Sequence, residues 1–457
     1  VSTLAAIYKL TLRSILRERV ALSMLVLLAL VQILLPMGLK GDGTPQGEIH
    51  MHIRYSLGFS IILLAGMMLW ASCASIAGDL SSKRLHMVLT KPVSRAALWW
   101  GKWLAVTTLG TSLLLVCGVI TLFRIQYLVA HSDLSSAEEE QLRRQTLTSR
   151  VPIDPVREDL SPRAEKMLKE QRERGALPPN LPEEVLQREV MNYVRLMRHA
   201  ADAGASVEWT FHLDQPLRQG ESFQLAYTFD GASMGVTRLP GTWRISTPDA
   251  SGVFTTSVRH IPRGEFVIPL RAEGALAGAD TLTVRFDNKS ETSDRVFFKP
   301  DGGVRLYRHG GSFVPNLLRA LLLPAGLLAL LAAVGVSAGA VFSLPVACYV
   351  TAVFLFVRAF SGVVEDVVAQ QSSHQAETKE SFWAETTHTA RLTVYKGILL
   401  ILDPLDVRHP LDRVSRGIRV SSEEVLSTLG LRFLPILLFI GAGGIVCFSR
   451  RETGAAA

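Results

Sequence analysis

The sequence predicts an α-helical membrane protein carrying an inserted antiparallel β-sandwich. Three observations lead there. Charged residues make up 19% of the 457 residues and hydrophobic residues 48%, whereas a soluble chain usually has about a quarter charged. The apolar residues are gathered into runs long enough to cross a hydrocarbon core roughly 30 Å thick. Between two of those runs lies a long polar stretch whose second half alternates apolar and polar residues, as half-buried strands do. This pattern excludes a soluble globular enzyme, a collagen-like chain and a disordered chain.

Single spans are expected at residues 21–39, 57–77, 104–123 and 433–448. The stretch from Leu317 to Phe360 is too long for one span and about right for two. Gly335, Ser337, Gly339, Ser343 and Pro345 are expected to break it in the middle. The first run is read as a span and not as a cleaved signal, because it is long and charged loop sequence follows it. Six spans result. They divide the chain into an amphipathic interfacial helix at 1–20, spans one to three at 21–127, outer segments at 128–205 and 206–310, spans four and five at 311–362, a third outer segment at 363–430, and the last span with its tail at 431–457.

Orientation follows from basic residues near the span ends. Lys9, Arg13, Arg17 and Arg19 precede the first span. Lys83, Arg84, Lys91, Arg95 and Lys102 lie between the second and third, and Arg450 and Arg451 follow the last. The acidic residues on that side are Glu18, Asp79 and Glu452. Both termini are therefore expected in the cytoplasm, in a multi-pass protein of the cytoplasmic (inner) membrane. The net charge of +7 is accounted for by this asymmetry, so nucleic-acid binding is not expected. No ionisable residue falls in mid-span, which disfavours a proton- or ion-relay transporter. Cys73, Cys117, Cys348 and Cys447 all lie in apolar runs, so no disulfide framework is expected in the polar insertion.

Near the N-terminus, Leu4, Ile7, Tyr8, Leu12, Ile15 and Leu16 share one helical face, with Lys9, Arg13 and Arg17 opposite. That is the pattern of a helix lying in the membrane interface. Residues 132–204 are charge-rich and helical in pattern, with proline-rich breaks at Val151–Pro155 and Leu177–Pro182. Strands are expected at Val207–Leu213, Phe223–Phe229, Thr242–Ser246, Val253–His260, Glu265–Arg271, Thr281–Asp287, Arg295–Lys299 and Gly303–Tyr307. About eight short strands between turn residues read as a sandwich, in one variant a jelly roll. The third outer segment looks mostly helical, and Lys396–Leu402 is a short apolar run suited to a re-entrant or interfacial position.

Catalytic motifs are missing: there is no G-x-x-x-x-G-K-[ST], no H-E-x-x-H and no G-x-S-x-G. The chain is therefore expected to hold no cofactor or metal and to be no enzyme. His50-Met51-His52 offers ligands suited to copper but reads first as an ordinary polar loop. Asn288-Lys289-Ser290 matches a glycosylation acceptor and reads first as a turn after a strand.

The most informative stretch is the cytoplasmic segment 78–102. A polar helix end, a Lys91-Pro92 break and a new helix capped by Ser94 would make a rigid knob on the membrane face. Leu89-Thr90-Lys91-Pro92-Val93-Ser94-Arg95, followed by Gly101-Lys102, resembles a segment of ABC-2-type transporter permeases. Val336-Ser337 with Phe342-Ser343-Leu344-Pro345-Val346-Ala347 is similar to the serine-containing turn between their fourth and fifth spans. Leu402-Asp403-Pro404-Leu405-Asp406, Gly417 and Arg450-Arg451-Glu452 are similar to their C-terminal region. The nearest subgroup is the permeases associated with multicopper-enzyme maturation, of the nitrous-oxide-reductase accessory type. The large outer insertion, and Gly78-Asp79 where many relatives place glutamates, depart from the pattern.

The resemblance implies a permease that pairs with a second copy and binds a separate cytoplasmic P-loop ATPase, which would hold the ATP and Mg. It implies ATPase docking through Asp79, Lys83, Arg84, Lys91, Pro92, Ser94 and Arg95. The outer domain is expected to meet a ligand or an extracytoplasmic protein. The rival class is a membrane-anchored binding or sensing protein without transport.

Overall fold

The structure is a computed structural model describing residues 3–38, 45–82, 93–132, 135–175, 183–231, 239–248, 250–260, 265–290, 295–300, 302–356 and 408–450. In chain order it begins with helices α1 (Thr3–Arg17), α2 (Arg19–Gly38), α3 (Pro45–Ser81), α4 (Arg95–His131) and α5 (Ser136–Gln145). Strand β1 (Thr148–Ile153), α6 (Ser161–Glu173) and α7 (Glu183–Arg198) follow. The strands β2 (Ala200–Ala201), β3 (Ser206–His212), β4 (Ser222–Gly231), β5 (Leu239–Thr247), β6 (Ala250–His260), β7 (Glu265–Arg271), β8 (Thr281–Asn288), β9 (Val296–Phe298) and β10 (Val304–Ser312) come next. The chain then runs through α8 (Phe313–Val341), α9 (Leu344–Phe356), α10 (Arg408–Ser415) and α11 (Ser422–Arg450). Two compact units result, one formed mainly of the helices and the other spanning Arg150–Gly310.

Among the described residues, α3, α4, α8 and α11 are long and apolar enough to cross a membrane, and the bent pair α1–α2 would make a fifth. The sequence expectation was six spans. Leu344–Phe356, in the expected fifth, is apolar but shorter, and residues 357–407, with Lys396–Leu402, lie outside the described set. The chain turns by 69° between α1 and α2. The turn falls at Arg17-Glu18-Arg19, charges that hydrocarbon would not admit cheaply. On α1, Ile7, Thr11 and Ile15 are buried while Leu4, Leu10 and Leu16 stay exposed. A helix lying in the interface would cover those leucines with lipid.

In the helical unit, α8 packs on α3, α4 and α11. The break expected around Gly335 to Pro345 is present at its far end, where α8 stops at Phe342 and α9 begins at Leu344, but Gly335, Ser337 and Gly339 lie inside α8. The glycines serve packing instead. A Cβ on Gly335 would stand 1.8 Å from Ser72 Oγ, and one on Gly339 would stand 2.7 Å from the Cys73 carbonyl oxygen. Side chains there would force α8 away from α3, so the seam uses small residues, as close helix pairs in membranes do. Pro345 falls in the first turn of α9, where its missing N–H costs nothing.

Polar side chains join α2 to its neighbours. Gln32, 3% exposed, donates to Ser60 Oγ at 2.8 Å and accepts from Ser56 Oγ at 3.1 Å. Arg124 of α4 donates to the Gln32 carbonyl oxygen at 2.7 Å. In hydrocarbon such bonds hold helices together where apolar contact alone gives little preference. His50-Met51-His52 lies within α3, not in a loop, and His50 stands 4.0 Å from Asp412 of α10.

The second unit contains the expected strands: β3 to β10 coincide with the eight period-two runs. One sheet has the order β1-β10-β4-β9-β2, with β7 also paired to β4, and the other β3-β8-β5-β6. Every pairing with a described register is antiparallel. Register sets like faces opposite each other: Trp209 faces Val284, Phe211 faces Leu282, and Trp243 faces Phe286. In the other sheet Leu225 faces Leu306 and Phe229 faces Phe298. These residues form one core between the two sheets, since a one-residue slip would turn every one of them outward.

The break expected at Val151–Pro155 does separate helices α5 and α6, and its residues Val151–Ile153 belong to strand β1. Pro152 fits there because β1 is an edge strand and an edge can spare one N–H. The rest of residues 132–204 is largely helical as expected, with α6 and α7 packed through Leu160, Leu168, Val190 and Val194. Asn288 forms the expected turn, accepting from Ser290 N at 3.0 Å. Its amide is buried and donates to the Ala201 carbonyl oxygen, so it is no glycan acceptor in this fold.

Arg308 of β10 donates through Nε and a terminal nitrogen to the two carboxylate oxygens of Glu221, the second bond measuring 2.8 Å. The same guanidinium reaches the Gln215 carbonyl oxygen at 2.9 Å. This hydrogen bonding holds the Glu221 carboxyl below its ordinary value of 4.5. A carboxyl lowered on folding adds stability above its unfolded pKa, and loses it as pH falls through the folded value. The β-sheet unit should therefore lose stability below about pH 4.5. Glu221→Gln should cost about 1–3 kcal/mol at pH 7 and flatten that dependence. Thermal melts from pH 7 to 3 measure both, and an unchanged slope in the variant would disprove the assignment.

Candidate functional site

The sequence-predicted site is only partly within the described residues. Lys83, Arg84, Lys91 and Pro92 fall outside them. Asp79, Ser94 and Arg95 are described, and they lie at one end of the helical unit, where α3 stops and α4 starts.

Ser94 caps α4. Its backbone is extended (φ −68°, ψ 141°) and its hydroxyl accepts from Ala97 N at 3.1 Å, satisfying one of the helix's otherwise unpaired donors. Arg95 turns toward α11. Its guanidinium donates to the Ser449 carbonyl oxygen at 2.6 Å and also to that of Phe448, and it lies 5.5 Å from the Phe448 ring centre. Those carbonyls belong to the C-terminal turn of α11, the negative end of the helix dipole. The charge of Arg95 is thus engaged within the chain.

Asp79, in the last turn of α3, pairs with Lys102 of α4 at 2.5 Å. Lys102 is 3% exposed, and its ammonium also donates to the Ser75 carbonyl oxygen. A buried ammonium survives only with such partners. In the sequence Lys102 counts toward the cytoplasmic positive charge and closes the resemblance motif, but nothing there marks it as half of a buried ion pair. Its distance of 23 positions from Asp79 exceeds any helical repeat, so only the turn between the helices could reveal the pair.

The remaining helices meet at the same end. Trp99 is fully buried and donates to Ser337 Oγ of α8 at 3.1 Å. It packs where Gly441 and Gly444 of α11 leave room, since a Cβ on Gly441 would stand 3.0 Å from its ring. Trp103 donates to the Ala329 carbonyl oxygen at 2.9 Å. Trp99, Trp100 and Trp103 contact one another at 4.9 to 6.2 Å, an aromatic cluster of the kind found at membrane interfaces. Ile7 of α1 covers Gly101. The first two turns of α4 are therefore fixed to α1, α3, α8 and α11 together.

Asp79 and Arg95, on either side of residues 83–92, are thus each held to a neighbouring helix. No protein-family model matches the chain, and no curated protein matches it.

Proposed function

We propose that this chain is the membrane subunit of an ATP-driven transporter of the ABC-2 permease type. In this reading it crosses the cytoplasmic membrane six times with both termini inside, and Leu344–Phe356 begins the fifth span. Two copies pair, and each binds a separate P-loop ATPase through Asp79, Lys83, Arg84, Lys91, Pro92, Ser94 and Arg95. Closure of the ATPase pair around ATP and Mg pushes on the knob at residues 79–95. The observation that carries this reading is the junction that roots the segment: Lys102 on Asp79 and Ser75, and Arg95 on the end of α11. A push delivered there reaches α3, α4 and α11 as rigid bodies instead of being lost in a hinge.

Mild-detergent purification of the tagged protein from its own membranes, with mass spectrometry, tests this. A stoichiometric P-loop ATPase is expected. Lys83→Glu/Arg84→Glu/Lys91→Glu should release it while the protein still elutes as a folded species. Arg95 is left unaltered because its charge holds α11. An ATPase that stays bound to the triple variant would refute this docking surface. A preparation with no ATPase would favour a membrane-anchored binding protein, the second reading, supported by the well-packed β-sheet unit.

A further inference from the structure

The unit spanning Arg150–Gly310 contains a cleft of about 640 Å³, bounded by the β1–α6 connection, the end of α7, β3 and the turn between β9 and β10. That volume suits a small-molecule ligand. Its walls are rich in arginine, and the arginines fall into two groups. Arg305 pairs with Asp154 at 2.7 Å, and Arg198 with Glu158 at 2.6 Å. Those acids therefore position arginines and are already neutralised. Arg157 and Arg195 line the same cleft without a carboxylate partner among the described residues. Glu208 is the remaining acid on the wall.

His199 also lines the cleft. The Trp209 indole N–H donates to His199 Nδ1 at 2.9 Å. A neutral imidazole accepting at Nδ1 carries its proton on Nε2 and donates there. Trp209 itself is buried in the core, so the histidine at the cleft wall is anchored. Two arginines without a carboxylate partner among the described residues are the chemistry that recognises carboxylate or phosphate.

We propose that this cleft binds a compact anion carrying two acidic groups, carboxylate or phosphate, held by Arg157 and Arg195. The site is independent of any ATPase partner and goes beyond the transport reading. Isothermal titration of the full chain in discs of zwitterionic lipid tests it, with citrate as the carboxylate probe and pyrophosphate as the phosphate probe. At least one probe should bind saturably at low salt and weaken as salt rises. Arg157→Gln/Arg195→Gln should weaken binding about tenfold or more. Glu208→Gln should tighten it about twofold by removing opposing charge. Arg143→Gln/Arg144→Gln, on exposed arginines of α5, should leave it unchanged. Saturable binding of neither probe, or equal affinity in the Arg157/Arg195 variant, would overturn the proposal.

Discussion

Asp79→Asn will destabilise the helical unit by about 3–5 kcal/mol, and adding Lys102→Met will recover most of the loss. Lys102 is 3% exposed, and among the described residues its ion partner is the carboxylate of Asp79. Removing that carboxylate leaves a buried ammonium facing only a neutral amide and the Ser75 carbonyl oxygen. Breaking one half of a buried pair costs far more than replacing both halves with apolar or neutral groups. Asp79 itself is 35% exposed at its side chain, so Lys102→Met alone should cost less than Asp79→Asn alone. Unfolding midpoints of the four species in detergent complete the cycle. Equal midpoints for Asp79→Asn and the parent, or a double variant as unstable as Asp79→Asn, would show that the pair does not hold the junction.

Trp243→Ala should remove about 3–5 kcal/mol from the β-sheet unit. The indole is fully buried and meets rings from both sheets: Tyr227 at 4.6 Å, Phe286 at 4.9 Å, Phe298 at 5.7 Å and Trp209 at 5.9 Å. No single neighbour can fill the hole, because strand pairing fixes each of them. Its N–H has no hydrogen-bond partner among the described residues. Trp243→Phe therefore forfeits volume but no polar contact, and should cost distinctly less than alanine. Near-ultraviolet circular dichroism and tryptic cleavage within residues 150–310 report on this unit. Alanine and phenylalanine variants of equal protease resistance would contradict the central place given to the ring.

Much of this was legible in the sequence because the signals are local. Alternation over seven or so residues identifies a strand wherever it packs, and β3 to β10 were found that way. Ser94 was readable as a cap because capping acts over three residues. The apolar runs gave α3, α4, α8 and α11, although each helix extends beyond its apolar core. What escaped depends on distant partners. Pro152 looks like a breaker until β1 is seen at a sheet edge. Gly335 and Gly339 look like breakers until Ser72 and Cys73 lie against them. The walls of the arginine cleft come from stretches far apart in the chain, as the 151-residue separation of Asp154 and Arg305 shows. Arg95 reads only as a docking charge, and its second task of holding the end of α11 depends on residues more than 350 positions away.

That last contact has a consequence for how the protein is made. Arg95 leaves the ribosome long before its acceptors, because Phe448 follows it by 353 positions. During that interval the entire β-sheet unit is synthesised. The start of α4 must therefore wait, capped by Ser94 but unlatched, until α11 has been inserted. Over its most apolar stretch α11 is 22% buried, and the bonds from Arg95 add a polar latch at its final turn to the packing of Gly441 and Gly444 on Trp99. Translation order thus makes α11 the closing element, and a ribosome stalled before Phe448 would release a bundle with its end still open.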